Sequence, residues 1–256
     1  MEKTRIYYNK NVKLRNPILI VGLPGIGSVG SLVAEHIKKE LGAKKFATLY
    51  SPHFPHQVFM LKSGGVRMPS NRFYYWKNPS KAKSASDLVI LVGDAQALAP
   101  EGQYDINERI VRFFKALKGK RIFTIGGSNT SNQYVSNPKV FGVTWSKNLR
   151  TELSKNGVLF GQITGMIWGS AGLIVTFAKK YKIDAACIMG ETGMLDVDAN
   201  SAKAVLEVVS KILNIKINTE NLDKIKKETE AMIKAFEEAA EAPGQQPSKE
   251  NFTYIR

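Results

Sequence analysis

Residues 17–30 read Pro17-Ile18-Leu19-Ile20-Val21-Gly22-Leu23-Pro24-Gly25-Ile26-Gly27-Ser28-Val29-Gly30. The continuous apolar run Ile18–Val21, bounded by Pro17 and Gly22, predicts a strand that is buried on both faces. Residues 31–41 follow with apolar side chains at helical spacing, and they predict a helix. A strand, a glycine-rich turn and a helix form the first half of a βαβ unit, so this segment indicates an α/β fold.

The glycines of this segment allow two interpretations. Gly25, Gly27 and Gly30 have the spacing of a dinucleotide-binding turn, in which the backbone approaches a phosphate at a helix N-terminus. The acid that should hold the ribose is missing, because no Asp or Glu lies between Leu41 and Ser86. A close-packing role is therefore favoured, and the alternative is a ligand loop formed by Gly22, Gly25, Gly27 and Gly30.

Further apolar runs indicate how the chain continues. Residues 87–94, 121–127 and 184–192 resemble the first strand, since each run is apolar and each is followed by a loop. They predict a mainly parallel central sheet flanked by helices. Shorter elements are expected as a hairpin of residues 57–61 with 72–76 and strands at 140–145 and 157–160. Helices are expected at 106–117, from within the glycine-rich stretch 164–175 to residue 181, and at 199–213 with Ser201 or Asn200 as N-cap.

The carboxyl ends of parallel strands meet at one edge of a sheet, and α/β folds bind ligands there. The loops 22–30, 94–104 and 126–134 should therefore converge. Five acids in or near these loops are candidate acid–base groups: Asp94, Glu101, Glu191, Asp196 and Asp198. No nucleophile elbow appears, and the three histidines His36, His53 and His56 lack the spacing of a metal site. We expect no metal and no cofactor.

Composition limits the class of protein. The chain has 256 residues, 43% of them hydrophobic and 23% charged, which is typical of a globular protein. The net charge of +15 permits an acidic partner, but no dense basic cluster with stacking aromatics indicates nucleic acid. Cys187 is the only cysteine and lies in an apolar run, where a core position is expected. No signal peptide or membrane span is expected, so the predicted location is cytoplasmic.

The C-terminal part differs from the rest. Residues 1–215 are predicted to form the α/β domain, residues 216–242 a C-terminal helix, and residues 243–256 a flexible tail rich in Pro, Gly and Gln. The helix carries apolar residues at alternating spacings of three and four, a heptad seam that would suit an oligomer contact. Its candidate contact residues are Leu222, Ile225, Met232 and Phe236.

The Gly22–Gly30 motif, together with Thr164-Gly165-Met166, Gly172-Leu173 and Gly190-Glu191-Thr192, resembles the archaeal branch of the proteasome assembly chaperone 2 family over about residues 15 to 215. The resemblance implies a non-catalytic protein with a phosphorylase-like α/β sandwich. It also implies homo-oligomers that act as chaperones or adaptors of the proteasome core particle.

The tail resembles the docking motif of proteasome-binding proteins, a hydrophobic residue followed by tyrosine and one final residue. The match is imperfect, because Ile255 occupies the penultimate place and Tyr254 stands one place early. The implied contact residues are Phe252, Tyr254, Ile255 and Arg256. The alternative function is a small-molecule or nucleotide-binding enzyme that uses the Gly22–Gly30 loop.

Overall fold

The computed structural model describes residues 3–130, 134–193, 196–220 and 222–224. Its strands are β1 (Arg5–Tyr8), β2 (Ile18–Gly22), β3 (Lys44–Tyr50), β4 (Phe59–Met60), β5 (Val66–Arg67), β6 (Asn71–Trp76), β7 (Leu88–Gly93), β8 (Arg121–Asn129), β9 (Val140–Thr144) and β10 (Asp184–Thr192). Its helices are α1 (Val29–Glu40), α2 (Pro100–Ala116), α3 (Lys147–Lys155), α4 (Ser170–Lys180) and α5 (Ala199–Leu213). A short 3₁₀ turn, Ile26–Ser28, precedes α1.

Within these residues, eight strands form one sheet in the order β1-β3-β6-β7-β2-β8-β10-β9. The four central strands β7, β2, β8 and β10 are mutually parallel. Antiparallel pairs flank them, with β6 next to β7 and β9 next to β10. The predicted fold class, a mainly parallel central sheet flanked by helices, is confirmed.

The central strands are apolar because helices cover both faces of the sheet. On one face, α2 and α4 pack through Ile110, Phe114 and Ile174 on a first core cluster. On the other face, α1 and α5 pack through Val33 and Leu206 on a second cluster. Successive residues of β2 alternate between the two clusters, which is why no residue of Ile18–Val21 can be polar.

The predicted hairpin of residues 57–61 with 72–76 is wrong. β4 pairs with β5 instead, and β6 lies in the main sheet between β3 and β7. The main sheet offers β6 a partner on each side and buries Phe73 completely, whereas a two-stranded hairpin offers neither. β3, the strand that follows α1, runs parallel to β2 as in a βαβ unit, but β6 and β7 lie between the two strands.

Two further expectations need correction. Residues 157–160 form a single bridge from Leu159 to Phe141 rather than a strand. The sequence pattern does not predict helix α3, because only Leu149 and Leu153 of its nine residues are buried. Helix α2 begins at Pro100 rather than at residue 106, so it includes the second half of the predicted loop 94–104. Helices α1 and α5 and the last sheet strand, β10, lie where the sequence predicts them.

The described part of the C-terminal segment packs against the domain. The carbonyl oxygen of Asn218 accepts a hydrogen bond from His36 Nε2 on α1. Residues 220 and 222–224 are helical, and Lys203 of α5 forms an ion pair with Asp223. Ile217 and Leu222 belong to the second core cluster. The start of the C-terminal helix therefore lies on the α1/α5 face.

Candidate functional site

A cleft of about 1030 Å³ opens at the carboxyl edge of the central strands. Its walls include residues from all three loops predicted to converge there, among them Gly25, Gln96 and Ser128. A fourth wall is the segment 163–171, which leads into α4. The sequence therefore predicted the edge of the sheet at which this cleft lies, but it did not predict that the segment 163–171 would form one of its walls.

The cleft is apolar and neutral. Among the described residues that line it, none is Asp, Glu, His, Lys, Arg or Cys. The polar groups are hydroxyls and amides, including those of Gln103, Ser128, Asn129 and Thr164. Several large apolar side chains of the lining are exposed: Ile26 (52%), Leu98 (72%), Met166 (79%) and Trp168 (79%). Such a lining suits an apolar, uncharged ligand.

Two glycines of the first loop allow helix and sheet to approach each other. A Cβ on Gly22 would lie 2.0 Å from the carbonyl oxygen of Gly30. A Cβ on Gly30 would lie 2.5 Å from the carbonyl oxygen of Ile125 in β8. These contacts match the close-packing interpretation of the motif.

The other two glycines differ from one another. Gly27 has φ +59°, a left-handed conformation that favours glycine, and it packs against Thr192. Gly25 has extended backbone and space around it, since a Cβ added there would lie no closer than 4.0 Å to its neighbours. Gly25 lines the cleft, and its open side is free to contact a ligand.

Gln96 joins three walls of the cleft. Its amide Nε2 donates to the carbonyl oxygen of Pro24 at 2.7 Å, and its Oε1 accepts from the backbone N–H of Ser170 at 2.8 Å. Gly169 has φ +73° and leaves no room for a side chain beside Gln96. From the sequence, Gln96 is simply part of a polar loop, because a single glutamine carries no motif signal.

The loop acids are not brought together. The Asp198 carboxylate accepts from the Ser201 N–H at the start of α5 and from Thr192 Oγ1. Glu191 accepts from Thr130 Oγ1 and from the Lys139 N–H. Glu101 lies in the first turn of α2, and Asp196 is exposed. None of these lines the cleft.

Asp94 is held by two arginines. Its carboxylate receives two hydrogen bonds from Arg67, at 2.5 and 3.1 Å, and two from Arg72, at 2.9 and 3.0 Å. The Ser70 N–H donates to it at 3.0 Å. Arg67 also lies over the ring of Phe59, with 4.1 Å between its guanidinium carbon and the ring centroid. Asp94 therefore ties the β4–β5 hairpin to the end of β7, and its role is structural.

The histidines do not form a metal site. His36 is buried and bonds to Asn218, His53 lies beside Gly102, and His56 is exposed. Across the part of the chain that the structure describes, no three residues of the types His, Cys, Asp and Glu are grouped as metal ligands would be.

No described helix combines the length and the hydropathy that crossing a membrane requires.

Cys187 lies in the first core cluster and is fully buried. Burial disfavours the thiolate and raises the pKa of the thiol to about 11, although a hydrogen bond with Thr124 acts in the opposite direction. We expect iodoacetamide at pH 8 to label the denatured protein rapidly and the native protein at least 100-fold more slowly. Mass spectrometry measures the extent of labelling over time. Rapid stoichiometric labelling of the native protein would contradict the burial of Cys187.

Fold and site together define a class: an α/β protein whose mainly parallel sheet carries a neutral, apolar cleft at its carboxyl edge. Within that class the chain belongs to the PAC2 family, which matches residues 19–237. This confirms the resemblance drawn from the glycine motifs.

Two relatives match nearly the whole chain. An uncharacterized protein of Methanocaldococcus jannaschii is 38% identical over 247 residues, covering 94% of this chain and 93% of that protein. The crystal structure of PbaB from Pyrococcus furiosus, an archaeal proteasome activator, is 36% identical with a TM-score of 0.86. The alignment covers 93% of this chain and 100% of PbaB.

PbaA of P. furiosus, an archaeal homolog of proteasome-assembly chaperone, shares the fold. Its TM-score is 0.76 at 24% identity, with 94% of each chain covered.

Proposed function

We propose that this protein is a homo-oligomeric, non-catalytic chaperone or adaptor that binds the archaeal proteasome core particle or its assembly intermediates. The observation that carries the proposal is the similarity to PbaB, which extends over the whole of that chain with a TM-score of 0.86. Similarity of that extent includes the sheet, both helix layers and the carboxyl edge.

The chemistry of the site supports binding rather than acid–base catalysis. Asp94, Glu191 and Asp198 are engaged in ion pairs, backbone contacts and a helix cap. Catalytic acids instead need contact with a substrate and a pKa near the working pH. The described lining of the cleft supplies hydroxyls, amides and apolar side chains, which recognise a ligand without transferring protons.

The proposed contact with the proteasome is the tail. Phe252, Tyr254, Ile255 and Arg256 lie outside the described residues, as do the seam residues Ile225, Met232 and Phe236. Leu222, the first residue of the seam, is 1% exposed and contacts the core of its own chain. Any contact between copies through the seam would therefore use the residues that follow it.

Replacing Phe252, Tyr254 and Ile255 together by serine is expected to reduce retention of the purified core particle on the immobilised full chain at least tenfold. Anchoring side chains of this kind supply most of the binding free energy of a peptide contact. The matched control replaces Gln245, Gln246 and Pro247 by serine, which changes the same tail without removing an aromatic or aliphatic anchor. Retention should then equal that of the unaltered protein.

Two results would contradict the proposal. If the unaltered protein retains no core particle, the proteasome role fails. If the tail variant binds as well as the unaltered protein, the tail is not the contact. Light scattering on the same preparations tests self-association, and a mass equal to one chain would exclude the homo-oligomer.

A second function is favoured by the cleft itself, which lies where α/β enzymes bind small molecules. In that case the Gly22–Gly30 loop would hold a nucleotide or another small ligand. Any phosphate would have to bind the backbone N–H groups of that loop, because no charged side chain is among the described residues of the lining. Nucleotides, nucleosides and phosphate can be compared by thermal shift, because a ligand at 100 times its dissociation constant stabilises a protein by about 2.7 kcal/mol. A panel without any shift would count against this function.

A further inference from the structure

Large apolar side chains of the cleft lining are exposed. Met166 and Trp168 are each 79% exposed, and Leu98, which also lines the cleft, is 72% exposed. Contiguous apolar surface beside a concave site marks a place where another group binds. The chain itself contains a candidate for that group.

Charge narrows the choice of occupant. The described lining of the cleft carries no charged side chain, and burying a charge there without a partner would be costly. The chain as a whole carries +15. Within residues 225–256, only the segment 251–255 combines the absence of charge with three large apolar or aromatic side chains, Phe252, Tyr254 and Ile255.

The described residues direct the chain toward the cleft. Helices α1 and α5 both begin at the carboxyl edge, since each follows a strand that ends there. Asn218 contacts His36, which lies in the second half of α1. Asp223 contacts Lys203, which lies in the second turn of α5. The chain from residue 218 to residue 223 therefore runs toward the carboxyl edge.

The remaining length is sufficient. Helix α5 packs on β10, and β10 is the direct neighbour of β8, whose end lines the cleft. Neighbouring strands lie about 5 Å apart. At 3.3 Å per residue, eight residues such as 243–250 can span at most about 26 Å, and the 26 residues 225–250 at most about 85 Å. The segment 251–255 can thus reach the cleft across the edge of the sheet.

We infer that the cleft binds the chain's own tail, with Phe252, Tyr254 and Ile255 seated against Met166 and Trp168. A seated tail would be withheld from any other partner, so the cleft and the proteasome would compete for the same residues. This inference goes beyond the proposed function and does not depend on it, because the tail can occupy the cleft whether or not it also binds the core particle.

A fluorescently labelled peptide of residues 247–256 tests the inference by anisotropy. Replacing Phe252, Tyr254 and Ile255 by serine in the full chain should free the cleft, so this variant is expected to bind the peptide at least tenfold more tightly than the unaltered protein. Adding Met166→Ser and Trp168→Ser to that variant should weaken binding at least tenfold. Adding Met60→Ser instead is the matched control, since Met60 is 89% exposed on the β4–β5 hairpin away from the cleft.

Three results would overturn the inference. The first is that the peptide does not bind the tail variant. The second is that Met60→Ser weakens peptide binding as much as the cleft substitutions do. The third is that the peptide does not bind and the cleft substitutions also change the oligomeric mass, which would assign the rim of the cleft to contact between copies of the chain. Because the assay contains no proteasome, its outcome is separate from that of the retention experiment.

Discussion

Replacing Gly22 by alanine is expected to lower the free energy of unfolding by about 3 kcal/mol. The new methyl group would lie 2.0 Å from the carbonyl oxygen of Gly30 and 2.4 Å from Cβ of Ala34, so α1 would have to move away from β2. Neither neighbour is the end of a flexible side chain, and Ala34 is fully buried. Denaturant titration followed by far-UV circular dichroism measures the loss.

Gly25→Ala is the matched control, three residues along the same loop. Gly25 has extended backbone, and an added methyl group would lie no closer than 4.0 Å to its neighbours, so stability should change by less than about 0.5 kcal/mol. An unchanged stability of Gly22→Ala would contradict the close approach of helix and strand. An equal loss at both positions would mean that the loop needs glycine for its backbone conformation.

Replacing Asp94 by asparagine is expected to cost about 3 kcal/mol, because two guanidinium groups would lose their anionic partner at a site where the Asp94 side chain is 7% exposed. Asp105→Asn is the matched control. Its pair with Arg109, at 3.7 Å, is an exposed contact between residues four apart on α2. Pairs of that kind contribute about 0.3–0.5 kcal/mol.

The Asp94 interaction should also depend on pH. Burial opposes ionisation of this carboxyl, but the hydrogen bonds from Arg67 and Arg72 outweigh that effect and hold the pKa below its ordinary value. A lowered pKa in the folded protein means that the stabilisation is complete above about pH 4 and is lost as the pH falls below that value. The difference in stability between Asp94→Asn and the unaltered protein should shrink in acid. A constant difference between pH 7 and pH 3 would contradict the role of the charge.

Strands with continuous apolar runs could be predicted closely. β2, β7 and β10 are buried on both faces of the sheet. Because strands of this kind consist almost entirely of apolar residues, they can be recognised from the sequence. Helix α2 is equally clear, because Ile106, Ile110 and Phe114 recur on one side. The same apolar runs also predict that the three loops meet, because the carboxyl ends of parallel strands lie at the same edge of the sheet.

The rest depends on contacts between distant residues. Asn71 of β6 pairs with Gly93, and nothing in the sequence near Asn71 names that partner. The pattern predicts Asn200 or Ser201 as the N-cap of α5, but the N-cap is Asp198, whose carboxylate accepts from the Ser201 N–H. The cleft depends on Gln96 reaching Pro24 and Ser170, residues 72 and 74 positions away. The spacing of apolar residues along the sequence cannot predict contacts between residues so far apart.

The strand order has a consequence for how the protein is made on the ribosome. β2 is completed by residue 22, but both of its neighbours, β7 and β8, begin at residue 88 or later. At 5–20 residues per second, about 3–13 s pass before synthesis of the first of them begins. During that interval β2, which the native sheet buries on both faces, has neither of its strand partners, and α1 is the only helix from either face of the sheet that has been synthesised.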